Sequence, residues 1–179
     1  MTNRPGCVDL IGSPTARLAV EQTDRHTCRG HAMLTQDPVF QLYIATTIAL
    51  VLNLVLLANT TVITRGKAKE VVNPEDAGLS AGAAVVFEGG NERTARHKRA
   101  HRNALENIPM YLVTGLQLAM VGVSATTAGV LYSVFVVARY AHSVAYLRSM
   151  QPWRTIAFVI GLLDQVVVLG VLGWATFLR

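Results

Sequence analysis

The sequence predicts an all-α integral membrane protein, a bundle of four transmembrane helices. Two observations predict it. Hydrophobic residues make up 51% of the chain against 15% charged, and the mean hydropathy is +0.37. The apolar residues also come in blocks rather than on periodic faces. Four blocks can span a bilayer: Val39–Ile63, roughly Arg102–Val123, Ala128–Leu147 and Thr155–Phe177. Neither the ten-residue alternation of a membrane β-barrel nor an internal repeat is present. At 179 residues the chain suffices for one bundle and no second large domain.

Residues 1–36 differ from the rest. They hold both cysteines, Cys7 and Cys28, and contain no apolar core of a signal peptide. Met33 stands just before Thr35-Gln-Asp-Pro38, a cap and breaker ahead of the first span. The reading is a poorly ordered tail, or a chain whose translation starts at Met33, followed by a membrane domain over 37–179. That domain has no cysteine, so no CxxC or Cys/His metal site is expected in it.

The first span ends at basic residues. Arg65, Lys67, Lys69, Arg93, Arg96, Lys98 and Arg99 lie between spans one and two, and Arg148 and Arg154 between three and four. The connection Gly122–Thr127 carries no charge. The positive-inside rule puts the two basic loops in the cytoplasm and both termini on the far side. Topology thus accounts for the net charge of +5, and no nucleic-acid partner is implied. In the second span the apolar run Ile108–Val123 is only sixteen residues. A span needs about 20, which draws Glu106, Asn103 and Arg102 to the membrane edge.

Those residues form a stripe. Arg99, Arg102, Asn103 and Glu106 stand at i, i+3, i+4 and i+7, on one helical face. Span three carries a second stripe, Arg139, His142 and Tyr146, at i, i+3 and i+7. Arg139 lies deep in an apolar run, so it should point into the bundle and meet a counter-charge, for which Glu106 and Asp164 are available. The bland reading is a structural ion-pair network, and a lone His142 would more often be a satisfied interior histidine. Asn53 in span one is expected to bond to a neighbouring helix, and Asp164-Gln165 to pair with Arg139 or make a polar helix contact.

Together the stripes say more. Arg65 ends span one and Arg154 begins span four, so the cytoplasmic half of the bundle gathers arginines with few carboxylates. Fixed positive charge in low dielectric is unfavourable unless an anion fills it. The ligand implied is small and multiply anionic, with a cationic group for Glu106. Glutathione has that chemistry, and arginine forks suit its carboxylates.

Three segments then resemble a known family. Asn73-Pro-Glu-Asp76, the run from Glu92-Arg93 through Arg99-Ala-His-Arg-Asn-x-x-Glu106, and Arg139-x-Ala-His-x-Val-Ala-Tyr-Leu147 are similar to the MAPEG family, membrane-associated proteins in eicosanoid and glutathione metabolism. Within it they look closest to the microsomal prostaglandin E synthase branch. The resemblance covers about residues 39–178. It implies a four-helix protomer, a homotrimer, and glutathione held between subunits near the cytoplasmic face by Arg99, Arg102, Asn103, Glu106, His142 and Tyr146. Arg65 and Asp76 occupy matching positions, Arg139 opens the third motif, Arg154 matches an arginine beside the glutathione sulfur, and Thr155 stands where that branch has serine.

The expected function is a glutathione-dependent membrane transferase or peroxidase, with a prostaglandin-synthase-type isomerase also within the family's range. Arg154, with Thr155 or Tyr146, would favour the thiolate for attack on a lipophilic electrophile or lipid hydroperoxide arriving from the bilayer. A rival is a non-catalytic lipid-binding scaffold of the same fold, which would bind lipid but no thiol. A small transporter is weaker, since inverted repeats and broken helices are missing.

Overall fold

A computed structural model of the chain describes residues 36–79, 82–87 and 90–178. Its four long helices fall where the apolar blocks stand: α1 over Pro38–Ala68, α2 over Glu92–Met120, α3 over Ala125–Leu147 and α4 over Trp153–Phe177. Pro38–Arg179 forms one compact unit, and residues 1–35 of the expected tail lie outside those described. The all-α four-helix membrane bundle is as the sequence predicts. Helices α1, α3 and α4 are each long and apolar enough to cross a membrane. Helix α2 has the length, at 29 residues, but Asn103, Glu106, Asn107 and Gln117 make it the polar member. It starts at Glu92, two turns before Arg99, the first residue of the expected stripe, and these turns carry its basic residues beyond the apolar stretch.

Local chemistry sets the ends. The Asn91 side chain accepts from the backbone N–H of Arg93 at 3.0 Å and caps α2. Gly122 breaks the chain at φ 72°, a conformation glycine adopts without strain. Ser124 then caps α3 by accepting from the Thr127 N–H at 3.1 Å. These two residues explain why the α2–α3 connection is so short. The long loop after α1 has structure of its own. Strand β1 (Glu70–Val71) pairs in parallel with β2 (Ala84–Val85), Glu70 opposite Ala84, around a 3-10 turn over Pro74–Leu79. Glu70 accepts from the Asn91 backbone N–H, tying this strap to the start of α2.

The core is aliphatic and aromatic. Leu50 and Leu57 of α1, Ile108, Tyr111 and Leu118 of α2, Tyr132 and Phe135 of α3 and Val168 of α4 are buried together. The rings of Tyr111 and Phe135 stack with centroids 3.5 Å apart. Neutral hydrogen bonds then pin helix to helix. Tyr43 donates to the Leu112 carbonyl (3.1 Å), Tyr132 to Gly115 (2.7 Å) and Tyr140 to Ala49 (2.8 Å). Ser143 donates to Asn53 Oδ1 at 3.1 Å, the neighbouring-helix bond expected for Asn53.

In a membrane such bonds contribute modestly, so Tyr132→Phe and Ser143→Ala should each lower stability by about 0.5–1.5 kcal/mol. Unfolding in mixed micelles measures this. Wild-type stability in both variants would mean that these bonds do not hold the helices in register.

Candidate functional site

The N-terminal ends of α2 and α4 and the C-terminal end of α3 bring most of the singled-out residues into one neighbourhood, though not in the pairing expected. Arg139 is 2% exposed. Its guanidinium lies against two rings, 5.2 Å from the centroid of Phe135 and 5.6 Å from that of Phe158. Its Nη2 reaches the Phe158 carbonyl at 3.5 Å, while Nε and Nη1 have no hydrogen-bond partner. Gly161 makes the space: a Cβ there would come within 2.5 Å of Nη2. The expected counter-charge is therefore not found. Among the described residues no carboxylate pairs with Arg65, Arg102, Arg139 or Arg154. Glu106 is exposed. Asp164 is buried but faces Tyr111 of α2, with its Oδ2 unpartnered. Its neighbour Gln165 donates to Thr114 Oγ1 at 3.0 Å. Spacing on α3 fixes the face that Arg139 occupies, but not which face of α4 lies opposite.

His142 is buried one turn along from Arg139, feels the charge of both Arg139 and Arg154, and packs edge-on against Tyr146 with centroids 5.5 Å apart. Arg154, in the first turn of α4, lays its guanidinium on the other partner of that contact, 4.7 Å from the Tyr146 ring centroid. Arg99 of α2 lies within electrostatic reach of the same tyrosine. Tyr146 is thus the point where the two stripes and α4 meet. Cation–π contacts with Arg add attraction without neutralising charge.

The α2 stripe presents a different picture. The helix buries Ala100, Ala104, Ile108 and Tyr111. At 100° per residue, Arg99, Arg102 and Glu106 fall on the opposite face, and all three are exposed. Asn103, at the edge of the stripe, has a buried Oδ1 without a partner. Arg99 pairs with Glu92 at 2.9 Å, and Arg96 with the same carboxylate at 3.4 Å. The hydrogen bond from Arg99 holds the Glu92 carboxyl below its usual range. Glu92 in turn raises Arg99, with a lesser contribution from Tyr146. The pair persists above the ordinary carboxylate range and is lost as acid protonates Glu92.

Arg65, near the end of α1, has a buried, unpartnered Nε. Asp76, in the 3-10 turn, accepts from Asn73 Nδ2 at 3.3 Å and does not reach Arg65. Thr155 is exposed. Sequence reasoning missed Glu92 as the partner of Arg99, Phe158 and Gly161 as the bed of Arg139, and Gln151 beside Arg154 and Thr155. Of these only Gln151 carried a signal, since it sits three and four residues before the two. An apolar groove of about 530 Å³ runs along the outside of α3 and α4. Its wall includes Ala138 and Trp153, chain neighbours of Arg139 and Arg154.

The MAPEG family matches residues 43–174. Microsomal glutathione S-transferase 1 of Bos taurus is 35% identical over 133 residues, covering 73% of this chain and 86% of that protein. The transferase of the same name from Rattus norvegicus is 39% identical over 111 residues, 60% of this chain and 72% of its own. Prostaglandin E synthase of Homo sapiens is 29% identical over 131 residues, 73% of this chain and 85% of that one. The chain belongs to the MAPEG family.

A buried cation without a partner lowers stability, so Arg139→Met should keep or raise the melting temperature in detergent. A fall of several degrees would mean that Arg139 acquires a partner in the assembled protein.

Proposed function

We propose that this chain is a glutathione-dependent membrane transferase and peroxidase acting on lipophilic electrophiles or lipid hydroperoxides. One observation carries the reading: Arg139 and Arg154 converge on His142 and Tyr146 with no carboxylate among the described residues to neutralise them. Such a cluster favours an anion, and two of the family relatives are by name a glutathione transferase and a prostaglandin synthase.

The residues present fit glutathione. Unpartnered buried nitrogens on Arg65 and Arg139 are donors suited to its carboxylates, and Asn103 Oδ1 is a free acceptor for a peptide N–H. Glu106 supplies a negative group for its ammonium, and Arg99, Arg102, Asp76, His142 and Tyr146 complete the proposed cage. Bound there, glutathione supplies a thiol whose ionised form is the nucleophile. Arg154 lowers the cost of that negative charge through its guanidinium. Tyr146 and Thr155 offer hydroxyl donors beside it. The N-terminus of α4 adds its dipole in the same sense, since Pro152 provides no side-chain cap there. The outer groove of α3 and α4 gives a lipophilic partner an approach from the bilayer side of Arg139 and Arg154.

The outward stripe of α2 supports a homotrimer with the site shared between neighbouring copies near the cytoplasmic face. Charged groups facing hydrocarbon cost about 2.5–3.5 kcal/mol each on insertion scales, so Arg102 and Glu106 call for a covering surface.

Glutathione titration of the detergent-purified protein, followed by thiolate absorbance against pH, tests the proposal. The bound thiol should ionise below its free value of about 8.5. In Arg154→Ala the thiol should return toward that value, with at least a roughly tenfold loss of thiolate near neutrality and binding retained. Absence of glutathione binding would overturn the reading. Binding of lipid without thiol would favour a scaffold.

A further inference from the structure

The turn between α3 and α4 holds a side chain that the proposed chemistry leaves unused. Gln151 is exposed, yet both ends of its amide are engaged. In the orientation that satisfies all three side chains, Oε1 accepts from Arg154 Nε at 3.1 Å and from Nη2 at 2.5 Å, and Nε2 donates to Thr155 Oγ1 at 3.1 Å. The flat side of the same guanidinium rests on Tyr146, 4.7 Å from the ring centroid.

These contacts fix what each partner has left to give. A guanidinium carries five N–H donors on three nitrogens. Gln151 takes one from Nε and one from Nη2, and Tyr146 covers a face, which leaves three N–H donors, two on Nη1 and one on Nη2, at the far edge of the guanidinium. A threonine hydroxyl can accept and donate at once. Because Gln151 donates to Thr155 Oγ1, the oxygen is occupied as an acceptor and the hydroxyl hydrogen is released for another partner. We infer that Gln151 is a positioning residue that turns Arg154 and Thr155 into a pair of donors for one anion at the start of α4. The inference rests on the thiolate reading above and names the device that orients it.

The amide is the group suited to this. A carboxylate in its place would make a bidentate fork to Arg154 and cancel the charge that the anion needs. An amide accepts the same two hydrogen bonds while leaving the guanidinium a full cation. It also donates to Thr155, which an ionised carboxylate cannot do.

Glutathione titration of full-length wild type, Gln151→Ala and Gln151→Glu in the same detergent decides the matter, with affinity and thiolate fraction read separately. Gln151→Ala should bind glutathione within about twofold of wild type while its thiolate fraction near neutrality falls about three- to tenfold, up to one unit of thiol pKa. Gln151→Glu should fall further than alanine, because the clamp remains and the charge is cancelled. A residue that merely fastened the turn would give the reverse order, with glutamate nearer wild type than alanine, and that order overturns the inference. Equal thiolate in wild type and Gln151→Ala overturns it as well. If alanine does not fold, glutamate alone decides: thiolate at the wild-type level refutes the role. A wild type that binds glutathione with an ordinary thiol pKa, or not at all, refutes the proposed function itself rather than the part played by Gln151.

Discussion

Arg139 lies between the rings of Phe135 and Phe158 with two of its nitrogens unpartnered, and its surroundings are arranged for an unneutralised cation. Gly161 supplies the room, since any larger residue would meet the guanidinium. Asp164 stands less than one turn further along the same helix. It faces Tyr111 rather than Arg139. Pairing the two would remove the cost of both charges and also the field that an anion could use. Aromatic faces offer a weaker compromise: they attract the cation and leave its charge intact. Through His142 and Tyr146 that charge is joined to Arg154 and Arg99, so the packing of α3 against α4 sets the electrostatics of this end of the bundle.

Stability comes from elsewhere. Among the described residues, apart from the long contact of Arg139 with the Phe158 carbonyl, the side-chain bonds that cross between helices are neutral: three tyrosine hydroxyls on backbone carbonyls, Ser143 on Asn53, and Gln165 on Thr114. Each satisfies a polar group without placing a charge in hydrocarbon, and each fixes a helix in register. Among the described residues the ion pairs with Glu92 lie in the turns of α2 beyond its apolar stretch. Neutral bonds thus hold the bundle together, and its arginines are left available.

This division decides what could be read from the chain. The spans were legible because about 20 apolar residues in sequence have few other uses. The stripes were legible because helical periodicity fixes which side chains share a face. Periodicity on one helix says nothing of what stands opposite, so the expected Arg139 ion pair was wrong, and Phe158 and Gly161 were invisible as its bed. The stripe places Arg99 on α2, but the two turns before it carry no apolar period to mark them as helix, although Asn91 and Glu92 are ordinary helix-starting residues. The β1–β2 strap was missed because two-residue strands carry no pattern.

The outward stripe of α2 shows how far one chain can carry a site. Its buried face is spent on Ala104, Ile108 and Tyr111, and among the described residues nothing covers Arg102 and Glu106. Arg99 can extend toward the aqueous edge and has Glu92 there. Glu106 is three residues from Pro109, closer to the apolar stretch, and its side chain is too short to do the same. A carboxylate at that depth is tolerated where it faces another protein surface or a polar ligand, and a site between copies would provide both. Such an arrangement would also answer why Arg139 and Arg154 are left unpaired: the missing negative charge belongs to the ligand, and a counter-ion supplied by the chain would compete with it.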